Sequence, residues 1–321
     1  MTHNQLYNIY IASCSPDGGI YHYTLFPDGH MEFVNKTNLD RPMYTTVDKN
    51  KMYILLRAPF TKNRESALVV YDIDENGLLV NPSPLASTRG EVACHLTVKD
   101  SDVYCVNYIS GSVIKIPDTL VTHEGKGPHP QRQASPHTHY VGFTPDKKYI
   151  CVTDLGLDTI FIYNPDMTIK CKASVPKGHG ARHLIFSEDG DFCFVANELL
   201  STVSSFRYCD GTLSLIETVD VLLSDYKGES TASAIRYNDG KIYVSNRGHN
   251  SISVLEHMDG RMNLLGTIDC GGDFPRDFDI VGDFIISTNE KSNSVTVINK
   301  QTLKEVYKVT GIDSPICIIY R

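Results

Sequence analysis

The chain repeatedly places a charged or polar side chain about 15 residues before a second one, and the types involved are those that bind anions and move protons. The four pairs are His139 and Asp154, Arg182 and Glu198, Thr231 and Arg247, and Arg276 with Asn289 and Glu290. Charged groups gathered in one place have a desolvation cost that their mutual pairing only partly offsets, and binding an anion is a reason to keep them. Whether they do converge depends on the elements that carry them.

These elements repeat along the chain. Seven short runs of aromatic and aliphatic residues end in a small, aliphatic or polar residue, 43 to 51 residues apart. The runs end at Ser13, Leu56, Asn107, Asp154, Asn197, Asn246 and Asn289. A period of this length is typical of repeat architectures.

Each repeat reads as a set of antiparallel strands. The clearest repeat has the apolar run 183–186, the turn Ser187-Glu188-Asp189-Gly190 and the apolar run 191–195, and Asp-Gly between two such runs is a strong hairpin signal. A third run, 201–206, and a fourth, 212–215, follow. Four antiparallel strands in about 45 residues are typical of a propeller blade. We therefore predict an all-β fold, a seven-bladed β-propeller forming a single domain over residues 1–321.

The two ends of the chain complement each other. Nothing upstream of Ser13 is long enough to supply the first strand of its blade, whereas Ser314–Tyr320 reads as a first strand with nothing after it. We expect the N- and C-terminal strands to share a blade and close the ring, which would leave no exposed sheet edge at the seam. In a closed ring, the four pairs of charged or polar residues would lie at one face of the central channel. The long loops 116–136 and 223–230 would form a lid or rim over that face.

Composition narrows the functional class. The 321 residues carry 30 Lys and Arg against 38 Asp and Glu, a net charge of −8, with no basic stripe for nucleic acid. No apolar stretch approaches the roughly 20 residues of a membrane span, and the first residues show no secretion signal. Nine cysteines, an odd number with no Cys-x-x-Cys, indicate reduced thiols. We expect a cytoplasmic protein that binds neither nucleic acid nor membrane.

Several motifs, in order along essentially the whole chain, carry a resemblance to a known family. They are Asn107–Ser112, Pro136–His139 with Thr144–Asp146, Asp154–Asp158, Gly180–His183 with Asn197–Leu199, Ser245–Gly248 and Phe274–Arg276. The chain resembles the seven-bladed propeller lactonases of the 6-phosphogluconolactonase type, which include fungal carboxymuconate cyclases. One departure is Ala181, where the family usually has Pro. Carried over motif by motif, the resemblance implies that His139, Arg182, Glu198 and Arg247 are the active-site groups.

The resemblance implies hydrolysis of an anionic sugar lactone, with 6-phosphogluconolactone as the default substrate, and no cofactor or metal. His139, oriented by Asp154, would be the general base. Arg182 and Arg247 would bind the anion and stabilise the oxyanion, and Glu198 would position Arg182 or relay a proton. Arg276, Asp154 and His183 are further predicted substrate-binding residues. The absence of a Gly-x-Ser-x-Gly elbow argues against a serine esterase.

Three other functions stay open on the residues alone. A muconate-type cycloisomerase would use the same residues to close a lactone. A non-catalytic scaffold would bind a protein partner and show a large apolar patch. A calcium-dependent lactonase would use the acidic residues, although neighbouring arginines would repel the cation. Residue types do not fix whether the protein is a monomer or a weak dimer.

Overall fold

A computed structural model describes residues 5–223 and 225–321, and these residues form 29 strands in seven sheets. In the first three blades, named from the innermost strand outwards, the strands have the following bounds. Blade 1 has β29 (Pro315–Tyr320), β1 (Tyr7–Ser13), β2 (Gly19–Leu25) and β3 (Met31–Asn38). Blade 2 has β4 (Pro42–Asp48), β5 (Lys51–Leu56), β6 (Glu65–Ile73), β7 (Leu79–Val80) and β8 (Ala86–Glu91). Blade 3 has β9 (Ala93–Lys99), β10 (Asp102–Asn107), β11 (Ser112–Ile116) and β12 (Thr119–Thr122).

The remaining four blades each have four strands. Blade 4 has β13 (Thr138–Phe143), β14 (Ile150–Asp154), β15 (Thr159–Tyr163) and β16 (Ile169–Ser174). Blade 5 has β17 (Ala181–Phe186), β18 (Phe192–Asn197), β19 (Thr202–Cys209) and β20 (Thr212–Asp220). Blade 6 has β21 (Thr231–Asn238), β22 (Lys241–Arg247), β23 (Ser251–Met258) and β24 (Arg261–Asp269). Blade 7 has β25 (Pro275–Val281), β26 (Phe284–Asn289), β27 (Ser294–Asn299) and β28 (Lys304–Thr310).

The ring closes as the sequence predicts. The C-terminal strand β29 pairs antiparallel with β1, with Ile11 opposite Ile318, so the two ends of the chain share blade 1. The seven innermost strands contact one another in a cycle, β29 to β4 and onwards to β25. The predicted seven-bladed propeller is confirmed. Among the described residues, blade 2 has five strands where the other blades have four, because its outer edge is divided between β7 and β8, both of which pair with β6.

The hydrophobic core lies in layers between neighbouring blades. In one layer, Ile9 and Ile11 of blade 1 pack with Ile286 and Val295 of blade 7. Both faces of a central blade strand are therefore buried, which explains why such strands read as continuous apolar runs. The cysteines inside these runs, among them Cys105, are free and buried. Among the described residues, no helix is long and apolar enough to span a bilayer.

The innermost strands of the blades share a β-bulge near their start. In β13, for example, Thr138 pairs with Asp154 and Tyr140 with Thr153, so His139 is left over as a bulge. Single-residue bulges recur in six blades at Ile316, Met43, Cys94, His139, Arg182 and Arg276. In blade 6 the shift spans Ser233 and Ala234. A bulge re-aims a side chain, and here the re-aimed side chains of the six blades line cavities at the central channel.

Candidate active site

One end of the central channel opens into a cavity of about 340 Å³. Its lower tier comes from the bulges, including Cys94, His139 and Arg276. Its upper tier comes from the ends of second strands: Glu198 directly follows β18, and Arg247 is the last residue of β22. Antiparallel pairing brings these two positions together in every blade. The site is therefore built by the repeat, with different chemistry on each blade.

Glu198 is the hub of the site. Its Oε2 lies 3.1 Å from Arg182 Nε and 3.0 Å from Arg247 Nη2, while its Oε1 accepts a hydrogen bond from Arg132. Burial alone would raise the pKa of the carboxyl, but Arg247 and Arg182 hold that pKa well below its usual range. Glu198 is therefore ionised at neutral pH and supplies the negative charge that keeps the arginines in place.

Arg182 and Arg247 keep unused hydrogen-bond donors. Arg182 is buried on β17, and its Nη1 has no hydrogen-bond partner among the described residues; the same holds for Nε of Arg247. Burial, then the charge of Arg247, lowers the pKa of Arg182 to about 9, so its guanidinium stays charged at neutral pH. An unpaired buried donor costs free energy, and an incoming oxyanion would satisfy it.

His139 lies beside this cluster on blade 4. Its Nε2 is 4.0 Å from Glu198 Oε2, and its Nδ1 is 3.8 Å from the thiol sulfur of Cys94. Burial, followed by the charge of Arg182, lowers the pKa of His139 well below 6.5. The imidazole is therefore neutral at neutral pH, the form that can accept a proton.

Arg276 and Glu290 form a second ion pair, at 3.3 Å, on blade 7. The predicted neighbours Arg182 and Glu198, and likewise Arg276 and Glu290, do lie together, because each pair spans the open end of one hairpin. Thr231 lies opposite Arg247 in the ladder, as expected.

Asp154 does not pair with His139, which corrects the sequence-based expectation. Its Oδ2 lies 2.7 Å from His123 Nδ1, and its Oδ1 accepts hydrogen bonds from the backbone N–H groups of His137 and Leu157. The side chain is fully buried, away from the cavity. The bulge is the physical reason: it turns His139 into the channel, whereas Asp154 stays in the ladder opposite Thr138. Asp154 ties the 116–136 loop to blade 4.

We expect Asp154→Asn to affect stability more than catalysis. Asp154 has two acceptor oxygens, whereas asparagine has only one. The variant therefore cannot accept hydrogen bonds from His123 and from both backbone N–H groups, so one buried donor loses its partner. The expected loss is about 1–3 kcal/mol in the free energy of unfolding, measured by urea denaturation, with kcat changed only a few-fold. An unchanged free energy of unfolding combined with a large loss of kcat would place Asp154 in the reaction after all.

His183 lies beside His139 but is not among the residues that line the 340 Å³ cavity. It follows the Arg182 bulge and sits deeper in the channel, its ring centroid 5.3 Å from that of His139 and 5.1 Å from that of His95. It lines a cavity of about 280 Å³ with Tyr44 and Tyr140. Its Nε2 has no hydrogen-bond partner within residues 5–223 and 225–321. Burial, then Arg182, lowers the pKa of His183 well below 6.5. His183 therefore packs the channel beneath the 340 Å³ cavity rather than lining it.

Sequence reasoning missed several residues that line the cavity: Arg57, Arg64, Cys94, Tyr108 and Arg132. Arg57 and Tyr108 follow second strands as Glu198 does, so the repeat could have identified them. Arg132 could not be found this way, because it lies on the 116–136 loop. That loop forms part of the rim, as predicted, and it is held in place by buried Gln133, whose Nε2 donates to Asp158 Oδ1 at 2.7 Å.

The second predicted rim loop contributes to a neighbouring groove. Leu223, Tyr226 and Ser230 line a groove of about 750 Å³ that also touches Arg132. Arg132 therefore stands between this groove and the 340 Å³ cavity, and it lines both.

Comparison with known proteins agrees with this architecture. The family model "Lactonase, 7-bladed beta-propeller" matches residues 8–320. The 6-phosphogluconolactonase of Bacillus subtilis is 30% identical over 316 residues, covering 88% of this chain and 86% of that protein.

Solved structures show the same fold. A protein from Lactobacillus plantarum superimposes with a TM-score of 0.89 at 27% identity, covering 99% of this chain and all of that one. The periplasmic gluconolactonase PpgL of Pseudomonas aeruginosa superimposes with a TM-score of 0.87 at 22% identity, covering 98% and 99% of the two chains. The family-model match over nearly the whole length, together with the Bacillus relative, shows that the chain belongs to the seven-bladed β-propeller lactonase family.

Proposed function

We propose that the protein hydrolyses an anionic sugar lactone, with 6-phosphogluconolactone converted to 6-phosphogluconate as the best-supported reaction. The observation that carries this proposal is the excess of arginine at one cavity. Its described lining includes five arginines but only one carboxylate, Glu198, in a chain whose net charge is −8. A cluster of this kind suits an anionic substrate. The name of the Bacillus relative supports the same substrate.

The proposed mechanism uses a neutral base and preorganised donors. His139 Nε2 takes a proton from water as the water oxygen bonds to the lactone carbonyl carbon. The free N–H groups of Arg182 and Arg247 stabilise the negative charge that develops on the carbonyl oxygen. The intermediate then breaks its ring C–O bond, and the imidazolium returns its proton to the ring oxygen. Ionised Glu198, 4.0 Å away, stabilises the imidazolium while it exists.

Two of the three alternative functions, the scaffold and the cycloisomerase, gain no support from the site. A scaffold would need a large apolar patch, whereas this channel face gathers charged side chains. A cycloisomerase would need an acid to protonate a ring carbon, and both Glu198 and His139 have lowered pKa values that favour their unprotonated forms.

A coupled assay that follows 6-phosphogluconate formation, corrected for spontaneous hydrolysis, tests the proposal. We expect the wild type to accelerate hydrolysis well above buffer and His139→Gln to lose most of that acceleration while keeping its melting temperature. A panel of phosphorylated and plain sugar lactones, with carboxymuconate added to detect loss of its diene absorbance, separates the alternatives. A wild type no faster than buffer with every lactone would overturn the proposal.

The pH dependence of the enzymatic rate provides a separate prediction. Because burial and Arg182 lower the pKa of His139 well below 6.5, the base stays unprotonated as the pH falls through that value. We therefore expect background-corrected kcat/KM to be flat between about pH 8 and pH 6.5, with an acid limb only below that range. A midpoint at or above about 6.5 would show that a more exposed group is the base.

A further inference from the structure

The cavity has two chemically different sides. Blades 4, 5 and 6 supply His139, Arg182, Glu198 and Arg247, which are the groups of the proposed reaction. Blades 1 and 2 stand on the other side of the seven-membered ring, and their bulges are the apolar Ile316 and Met43. Nothing in the hydrolysis of a lactone requires charge on this second side.

A positively charged side chain, that of Arg57, nevertheless lies on this second side. Arg57 directly follows β5 of blade 2, is exposed, and lines the cavity. No carboxylate among residues 5–223 and 225–321 lies within ion-pair distance of it. Arg64 also lines the cavity from blade 2, with its side chain 80% exposed and Glu91 3.4 Å away. Arg57 is thus a guanidinium at the cavity that no carboxylate of the described residues neutralises.

Arg57 and Arg276 line the same cavity. The charges of both arginines reach the Cys14 thiol, which lies between their blades, although burial is the larger influence and raises the pKa of Cys14. Arg276 comes from blade 7, which follows the reaction side around the ring and adjoins blade 1. Cys14 Sγ lies 3.3 Å from the sulfur of Met43. The same cavity is also lined by the apolar side chains of Met43, Val92 and Ile109, and the Glu290 carboxylate is already paired to Arg276.

We propose that Arg57 and Arg276 form a subsite for the phosphate group of the substrate. This inference rests on the proposed function and adds the origin of its specificity. Arginine is suited to phosphate because its planar donors match two phosphate oxygens at once. In 6-phosphogluconolactone the carbonyl carbon C1 and the C5 that carries the phosphorylated C6 both bond to the ring oxygen, whereas in the open-chain product the carboxylate and the phosphate are at the two ends of the molecule. The apolar side chains of the cavity would contact the carbon chain between them.

The test compares paired ligands with and without phosphate. We expect Arg57→Gln to raise KM for 6-phosphogluconolactone about 10- to 100-fold, the range of a lost hydrogen bond between charged groups, with kcat little changed. KM for unphosphorylated gluconolactone should change about twofold at most, and Arg57→Lys should fall between the two. Arg261→Gln is the matched control, since Arg261 is an exposed arginine on the outer strand of blade 6, paired with Glu217.

Calorimetric binding of the products keeps the test independent of turnover. We expect the wild type to bind 6-phosphogluconate more tightly than gluconate, and Arg57→Gln to abolish most of that difference. If the wild type binds both equally, or if Arg57→Gln weakens both ligands alike, the subsite is refuted even when lactones are hydrolysed. If 6-phosphogluconate is preferred through Arg57 but no lactone is hydrolysed, the subsite stands and the proposed function fails.

Discussion

The Arg182→Gln variant is expected to lose about 100- to 1,000-fold in kcat for lactone hydrolysis, with a smaller change in KM. Removing one preorganised oxyanion donor typically has an effect of this size. Arg182 is the candidate because its Nη1 is buried and has no hydrogen-bond partner in the part of the chain that the structure describes, and because Arg182 lines a small cavity with His139. The charge on the carbonyl oxygen is largest in the transition state, so kcat should respond more than substrate binding.

The control for this prediction is an arginine at the other end of the channel. Arg236 is also largely buried, and it pairs with Asp277 at 2.9 Å, but it lines the 280 Å³ cavity. Arg236→Gln should lower the melting temperature and leave kcat within a few-fold of wild type. In Arg182→Gln, Glu198 keeps Arg247 and Arg132 as partners, so the fold should survive. A kcat within about twofold of wild type in Arg182→Gln would remove this residue from the mechanism.

Glu198→Gln should be the most destabilising substitution in the site. It would leave Arg182, Arg247 and Arg132 facing one another without the carboxylate that now contacts all three. Breaking a buried ion pair from one side typically costs about 3–5 kcal/mol because a buried charge loses its compensation. We expect a loss of this size in the free energy of unfolding, measured by urea denaturation at neutral pH, together with loss of activity.

Two further measurements separate lost charge from lost packing. Inorganic phosphate should raise the melting temperature of Glu198→Gln more than that of the wild type, because an anion replaces the missing charge. The stability gap should also narrow in acid: the pKa of Glu198 is lowered in the folded state, so its contribution is complete above about 4.5 and is lost as the pH falls further. Equal phosphate effects and a gap independent of pH would show that the carboxylate charge is not what holds the cluster.

The fold was predictable from the sequence because its signals are local and repeated. Turns such as Ser187–Gly190 and the regular spacing of apolar runs identify hairpins without reference to distant residues. The pairing of Arg182 with Glu198 follows from the same logic, since both lie at the open end of one hairpin. The shared first blade was predictable for a different reason: each end of the chain lacks what the other supplies, and β1 pairs with β29.

The two differences between the expected and the observed positions of site residues have a common cause. A spacing of 15 residues across a hairpin predicts that His139 lies next to Asp154 in the ladder. A bulge of one residue instead turns His139 into the channel, while Asp154 stays opposite Thr138. The period of a strand is two residues, so one extra residue reverses the face that a side chain occupies. The same shift takes His183 below the cavity, although it is adjacent in sequence to Arg182.

The sequence by itself therefore determined the seven blades, the closure of the ring and which hairpin ends carry charge, because antiparallel strands pair through neighbouring residues. Only the tertiary structure decided which of those charges meet. Arg247 of blade 6 reaches Glu198 of blade 5, Arg132 reaches the same carboxylate from a loop, and Arg57 is left without an ion-pair partner among the described residues. Such contacts join segments that are far apart in the chain and depend on the direction of single side chains, which the spacing of residues does not specify.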